Sequence, residues 1–399
     1  MLKPLSESAS RVRASTTMTI DAMYKQMRAD GADVLGFGAG EPDFDTPESI
    51  KNSGIDAINK NLTRYTPASG TESLRKAICA RLEKDYGLAY KPSQIVVSSG
   101  AKHNLYLAMR ALIDPGDEII LTAPYWVSYD EQIRMCGGVS VILKTTGEEG
   151  FALSADRLEA AITPKTKALI LNSPSNPTGM VYTREQLLAL AQVCVKHGLY
   201  IVSDEIYGNL VYGGAKFHSV AALGEEIKEH TVVINGVSKS YAMTGWRVGY
   251  SASPQGIATV MANYQSHSTS SPSTISQAAA EDALSGNQDS VETMRAAFEH
   301  RRDLFIELAQ KIPGVKCRKP DGAFYVMLDV SSSFGKSVDG AVIDGADGFA
   351  QLLLKKAMVA VVPCEGFGAP EYVRMSYAVS DAVIEKGLGR IGEFMKQLS

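Results

Sequence analysis

The chain predicts an α/β fold, with a mostly parallel central sheet covered by helices on both faces and a smaller α+β domain beside it. Three observations predict it. From about Gln94 to Tyr250, short runs rich in Val, Ile and Leu alternate with segments of helical periodicity, the pattern of parallel strands buried on both faces. The 399 residues exceed what one hydrophobic core usually serves. Beyond a long charged helical pattern at Val291–Ile312, the remaining strands no longer alternate regularly with helices.

The expected strands of the central sheet are Gln94–Val97, Glu118–Leu121, Val139–Leu143, Ala168–Asn172, Tyr200–Ser203 and Thr231–Ile234. Helical segments lie between them, such as Leu105–Ile113 and Thr183–His197. The second opens with Thr183-Arg184-Glu185-Gln186, a capping-box pattern. Helical spacing also runs through Ile275–Leu284. Further strands are expected near Phe324–Asp329, Val359–Val362 and Tyr372–Ser376. A terminal amphipathic helix follows, with Val383, Ile384, Leu388, Ile391 and Met395 on one face. The expected domains are a large one at 48–285 and a small one built from 1–47 and 286–399.

Composition excludes several function classes. A net charge of −4 gives no reason to expect nucleic acid or an anionic membrane as partner. No apolar run approaches a membrane span, and the first twenty residues lack the apolar stretch of a secretory signal. The five cysteines are scattered and include no Cys-x-x-Cys. That fits a reducing cytoplasm better than a disulfide framework or a zinc site.

The chemistry gathers at strand ends. Thr231–Ile234 breaks at Gly236, and Lys239 follows among hydroxyl side chains, with Arg247 eight positions later. An amine at a strand end, with Ser238 and Arg247 to hold an anion, suits a Schiff-base lysine beside a phosphate. Asp204 ends Tyr200–Ser203, and Asn176 follows Ala168–Asn172. Ligands in open α/β sheets bind at such C-terminal strand ends. Each residue also has a plainer use: Asn176 as a turn former, Asp204 as a helix cap, Tyr207 as packing. Val97-Ser98-Ser99-Gly100-Ala101-Lys102 joins a strand to a helix, whose free N–H groups suit an anion. It lacks the Walker spacing, and Gly36–Glu41 departs from the dinucleotide fingerprint, with Glu41 at the last glycine position. The Ser99–Lys102 match to Ser-x-x-Lys lacks its companion motifs. Trp126, one of two tryptophans, follows a strand where a flat ring could stack on a cofactor or simply fill the core.

Together these motifs resemble the class I pyridoxal-phosphate-dependent aminotransferases of fold type I, in the bacterial aspartate aminotransferase-like branch. The resemblance covers nearly the whole chain from Ser10. It rests on Gly40-Glu41-Pro42-Asp43-Phe44-Asp45-Thr46-Pro47, Asn176-Pro177-Thr178-Gly179, Ser203-Asp204-Glu205-Ile206-Tyr207, Ser238-Lys239 with Gly245-Trp246-Arg247, and Tyr372-Val373-Arg374. It implies that Lys239 bonds covalently to pyridoxal 5'-phosphate and moves the substrate's α-proton. Asp204 would pair with the pyridine nitrogen. Tyr207 and Asn176 would bond the ring oxygen, and Trp126 would stack on the ring. Gly100, Ala101, Ser238 and Arg247 would hold the phosphate, joined by Tyr65 of a neighbouring subunit, so the active unit would be a homodimer. Arg374 and the Gly40 backbone would take the substrate α-carboxylate. Lys102 would read the distal carboxylate of a dicarboxylic substrate.

The resemblance thus implies ping-pong transfer of an amino group, from L-aspartate to 2-oxoglutarate. Ser10–Thr17 resembles the family's mobile stretch over bound substrate, where Arg11 or Arg13 would add charge. Prephenate, aromatic or glutamine-type substrates, or a β-lyase reaction, are the alternatives within the same cofactor chemistry. A lyase would release pyruvate and ammonia without an oxo-acid acceptor. A non-catalytic sensor would bring a DNA-binding segment, for which there is no room before Ser10. Cys364 stands where many relatives carry glycine, which bears on backbone geometry near the substrate entrance.

Overall fold

A computed structural model describes residues 2–10, 12 and 16–399, apart from the side chains of 7, 8 and 16–21. Its centre is a seven-stranded sheet. In chain order the strands are β1 (Ile95–Ser98), β2 (Glu118–Ala123), β3 (Val139–Lys144), β4 (Thr166–Asn172), β5 (Tyr200–Asp204), β6 (Thr231–Gly236) and β7 (Gly249–Ala252). Their spatial order is β1-β7-β6-β5-β4-β2-β3, and only β7 runs antiparallel to its neighbours.

Alternate side chains explain why both faces need helices. Val232 and Ile234 enter one apolar cluster with Leu105, Ile133 and Met261. Val233, between them, enters another with Ile50, Leu74 and Ala279 on the opposite face. Each such side chain, fully removed from water, contributes about 1.5–3 kcal/mol. The helix Arg184–Lys196 starts as the capping box requires. Thr183 Oγ1 accepts from the Gln186 N–H at 3.3 Å, and Gln186 Oε1 accepts from the Thr183 N–H at 2.9 Å.

Parallel register then places the site. Asn172 at the end of β4 lies opposite Asp204 at the end of β5, and Asp204 lies opposite Ile234 in β6. The chain leaves β6 at Gly236 because β7 passes too close for a side chain: a Cβ there would meet Gly249 Cα and Val248 O at 3.0 Å.

A second, antiparallel sheet holds β8 (Lys316–Cys317), β9 (Tyr325–Asp329), β10 (Val362–Pro363) and β11 (Tyr372–Ser376), in the order β10-β11-β9-β8. The helices Asp289–Ala309, Ala346–Ala357 and Asp381–Lys396 pack on it through Phe298, Phe305, Phe349 and Ile391.

Several strands differ from expectation, and the short strands Leu35–Gly36, Lys316–Cys317, Ser337–Val338 and Ala341–Val342 were not foreseen. Val359–Val362 is not one strand. Val359–Ala360 pairs in parallel with Leu35–Gly36, while Val362–Pro363 pairs with β11. The chain changes sheets at Val361, and an apolar run carries no mark of that. The strand β7 was not expected at all. Gly-Tyr-Ser-Ala is short and small, and it is a strand because β1 and β6 flank it.

Candidate active site

The C-terminal ends of the parallel strands open into a cavity of about 500 Å³, closed from the other side by residues 38–41 and by Tyr325 and Arg374 of the second sheet. Lys102, Trp126, Asn176, Asp204, Tyr207, Ser238, Lys239 and Arg247 all line it, with Gly40 and Ala101. Gly100 stands just behind, at the start of the helix Ala101–Leu112. Its φ of 90° favours glycine, and a Cβ there would crowd Arg247 Nη2 at 2.5 Å and push that guanidinium aside. Tyr65 is the exception. It is 94% exposed and borders a separate shallow hollow with Ser266 and Ser270. Arg11 and Arg13 lie outside the described residues.

Asp204 is buried on the cavity wall. The Tyr129 hydroxyl donates to its Oδ2 at 2.7 Å, and the Ile206 N–H donates to Oδ1 at 3.3 Å. Burial raises its pKa to about 6, against the lowering by Tyr129, Ile206 and Lys239. A carboxylate buried this way fits a cationic ring nitrogen, which would restore the charged form.

Lys239 donates to the Gly40 carbonyl. Burial lowers its pKa to about 8; Glu41 and Asp204 oppose this, and Arg374 and Arg247 reinforce it. Part of the amine is therefore neutral near pH 7.5, as a nucleophile or base must be. The rings of Phe324 and Tyr207 stand 5.8 and 5.9 Å from its nitrogen.

Arg374 comes from β11. Its Nη1 donates to Asn176 Oδ1 at 3.0 Å and Nη2 to the Gly38 carbonyl at 2.9 Å, while its buried Nε has no partner. The guanidinium lies 4.5 Å above the Tyr325 ring. This planar fork, held on both arms, suits a carboxylate. At the rim, Lys102 Nζ sits 4.9 Å over the Trp126 ring, and burial, then Arg247, lowers its pKa. The Arg247 backbone is left-handed at φ 58°, and its guanidinium bonds the carbonyls of Thr244 (2.8 Å) and Ser99 (3.4 Å). Arg247 and Ser238 line the cavity beside the start of Ala101–Leu112, and a cation, a hydroxyl and helix N-terminal N–H groups are the chemistry that suits an anion.

Sequence reasoning missed several wall residues: Tyr24 and Lys25 of the helix Thr16–Ala29, Tyr129, Asn172, Thr244 and Tyr325. Asn172 Nδ2 donates to the Asp204 carbonyl at 3.0 Å, and its Oδ1 accepts from the Asn176 N–H at 2.8 Å. It thereby locks two ligand-side residues together. Its position at a strand end was the available signal.

With this geometry in hand, the comparisons decide the family. The model of the class I and II aminotransferases matches residues 32–391. The chain belongs to that family. The aminotransferase is 49% identical over 391 residues to an aspartate aminotransferase of Bacillus sp. (strain YM-2), covering 97% of this chain and 99% of that one. It is 46% identical to a probable aspartate/prephenate aminotransferase of Aquifex aeolicus (strain VF5), covering both chains in full. Among solved structures, the aspartate aminotransferase of Rhizobium meliloti superposes with a TM-score of 0.95 at 41% identity, covering 100% of both chains. The aminotransferase is thus a pyridoxal-phosphate enzyme of fold type I, in the aspartate aminotransferase branch.

Proposed function

We propose that this aminotransferase moves the amino group of L-aspartate to 2-oxoglutarate by a ping-pong route. One observation carries the reading: a single cavity holds a buried arginine fork for one carboxylate, a lysine at the rim for a second, and the buried Lys239 amine in the same space. When bound, pyridoxal phosphate supplies an aldehyde that takes the amino group and a ring that accepts electrons from the substrate's α-carbon. The protein does the rest. Asp204 would keep the ring nitrogen protonated. Asn176 and Tyr207 would bond the ring oxygen, and Trp126 would stack on the ring. Gly100, Ala101, Ser238 and Arg247 would hold the phosphate. Arg374, with Gly40, would fix the α-carboxylate. The neutral Lys239 amine would take the α-proton and pass it to the cofactor carbon that carried the aldehyde.

Tyr65 supports a homodimer. A tyrosine this exposed, near the exposed Ile55, Ile58 and Leu62, fits a face covered by a second copy, with the hydroxyl reaching the partner's phosphate cradle. The pairing of Leu35–Gly36 with Val359–Ala360 supports a small domain made of 1–47 and 286–399 beside a large one at 48–285. Five free cysteines, and the absence of a helix among the described residues long and apolar enough to span a membrane, are compatible with a cytoplasmic enzyme.

A panel of amino donors against 2-oxoglutarate and oxaloacetate tests the reading. Aspartate should exceed uncharged donors in kcat/KM. Prephenate belongs in the panel as acceptor, because the Aquifex aeolicus relative carries it in its name. Lys102→Ala is expected to lower kcat/KM for aspartate by about 10- to 100-fold, the worth of one charged hydrogen bond, and to leave alanine nearly unchanged. Equal losses on both donors would refute the carboxylate-reading role.

Tyr129→Phe removes the strongest influence that lowers the Asp204 pKa. The carboxyl should then titrate above about 6, so cofactor affinity should begin to fall at a higher pH as the medium is acidified. A pH series of cofactor binding checks this; a superimposable curve would rule it out.

A further inference from the structure

Residues 38–41 line the cavity, and the segment continues from there to Thr46. At one end the Gly38 and Gly40 carbonyls accept from Arg374 and Lys239. At the other, three side-chain hydrogen bonds tie the same segment to the turn before β7. Thr244 Oγ1 donates to Glu41 Oε2 at 2.8 Å, Thr46 Oγ1 donates to the Ala242 carbonyl at 2.7 Å, and Trp246 Nε1 donates to Thr46 Oγ1 at 3.1 Å. The carbonyl of that same Thr244 accepts from Arg247 Nη1. The middle of the segment is anchored independently, by Asp43 to Arg301 at 2.6 Å and by Phe44 against Phe298.

We propose that Glu41 is a positioning residue: its carboxylate pins the Thr244–Arg247 turn to the segment that holds Arg374 and Lys239. The phosphate end and the carboxylate end of the site are then set by one strap. This rests on the reading of Lys239 and Arg247 given above. It adds a role for Glu41, whose carboxylate is held by the Thr244 hydroxyl at the cavity wall. The charge also matters. The groups acting on the Lys239 amine are Glu41, Arg374, Arg247 and Asp204, with Lys25 and Lys102 further along the same wall. Glu41 acts more strongly on it than any other charged neighbour, and it favours the ammonium form.

The test compares Glu41→Leu, Glu41→Gln, Thr244→Val, the double variant of Glu41→Leu with Thr244→Val, and Thr244→Ser. The first readout is the rate at which the holoenzyme loses its cofactor to a scavenger, followed by visible absorbance. The second is the pH dependence of Lys239 acetylation by trace acetic anhydride in the full chain stripped of cofactor, read by peptide mass mapping. Glu41→Leu and Thr244→Val should each speed cofactor loss about fivefold, as one lost hydrogen bond does. The double variant should be no faster than either, because both break one link. Thr244→Ser keeps the hydroxyl and Glu41→Gln keeps an acceptor oxygen, so both should hold the slow rate. The Lys239 labelling midpoint should move down by about half a unit in Glu41→Gln, with the negative charge gone, and stay put in Thr244→Val. Additive losses, no rescue by serine, or an unmoved midpoint in Glu41→Gln would overturn the proposal. If borohydride fails to trap the cofactor on Lys239 in the unaltered enzyme, the reading of the site falls instead.

Discussion

Lys239→Ala is expected to bind pyridoxal phosphate without a covalent bond and to lose about 10⁴-fold or more in kcat/KM for aspartate. General acid–base catalysis alone contributes about 10²–10⁴-fold, and this amine is also the covalent anchor. Neither Tyr207 nor Asp204 is free to take over. Tyr207 shares a 2.9 Å hydrogen bond with Tyr325, and burial holds its phenol protonated. Asp204 faces Tyr129 and the Ile206 N–H. Borohydride reduction followed by peptide mapping should place the adduct on Lys239 in the unaltered enzyme and find none in the variant. Activity within tenfold of normal, or an adduct at another lysine, would contradict this.

Asp204→Asn is expected to lower kcat about 10²–10³-fold, since an amide cannot hold the ring nitrogen in its protonated form. Its second effect runs the other way. A carboxyl whose folded-state pKa is about 6, against an ordinary value of 3.8, has stability that is full below the lower value and lost as pH rises through the higher one. The loss is about 3 kcal/mol by pH 8. Asparagine keeps the shape without the charge. The cofactor-free variant should therefore melt above the cofactor-free parent at pH 8, and the gap should close near pH 4. Bound cofactor should reverse the order, because its ring cation compensates the carboxylate in the parent only. Thermal melts at both pH values, with and without cofactor, check all four expectations. A variant less stable than the parent at pH 8 without cofactor would show that Asp204 is structural.

Much of this was legible in the chain. Most of strands β1 to β6 announced themselves because parallel strands buried on both faces are continuous apolar runs; β3, at the exposed edge, was legible from its Val and Ile residues instead. Lys239, Asp204, Asn176 and Arg247 were recognisable because strand ends, small-residue bends and charged side chains coincide there. Tyr129 and Asn172 were not. A tyrosine on a short helix and an asparagine at a strand end are common, and only their hydrogen bonds to Asp204 set these two apart. Glu41 was legible as a deviation from a glycine motif and as part of Gly40–Pro47, with no role of its own.

Local pattern therefore determined which segments became strands and helices, and which polar residues stood at their C-terminal ends. Periodicity and capping are short-range properties, and the chain carries them openly. The tertiary structure decided what those residues meet: β7 between β1 and β6, the change of sheets at Val361, and Arg374 reaching Asn176 across 198 positions. Such pairings are chosen by packing and register between segments far apart in sequence, so no stretch of the chain contains them by itself.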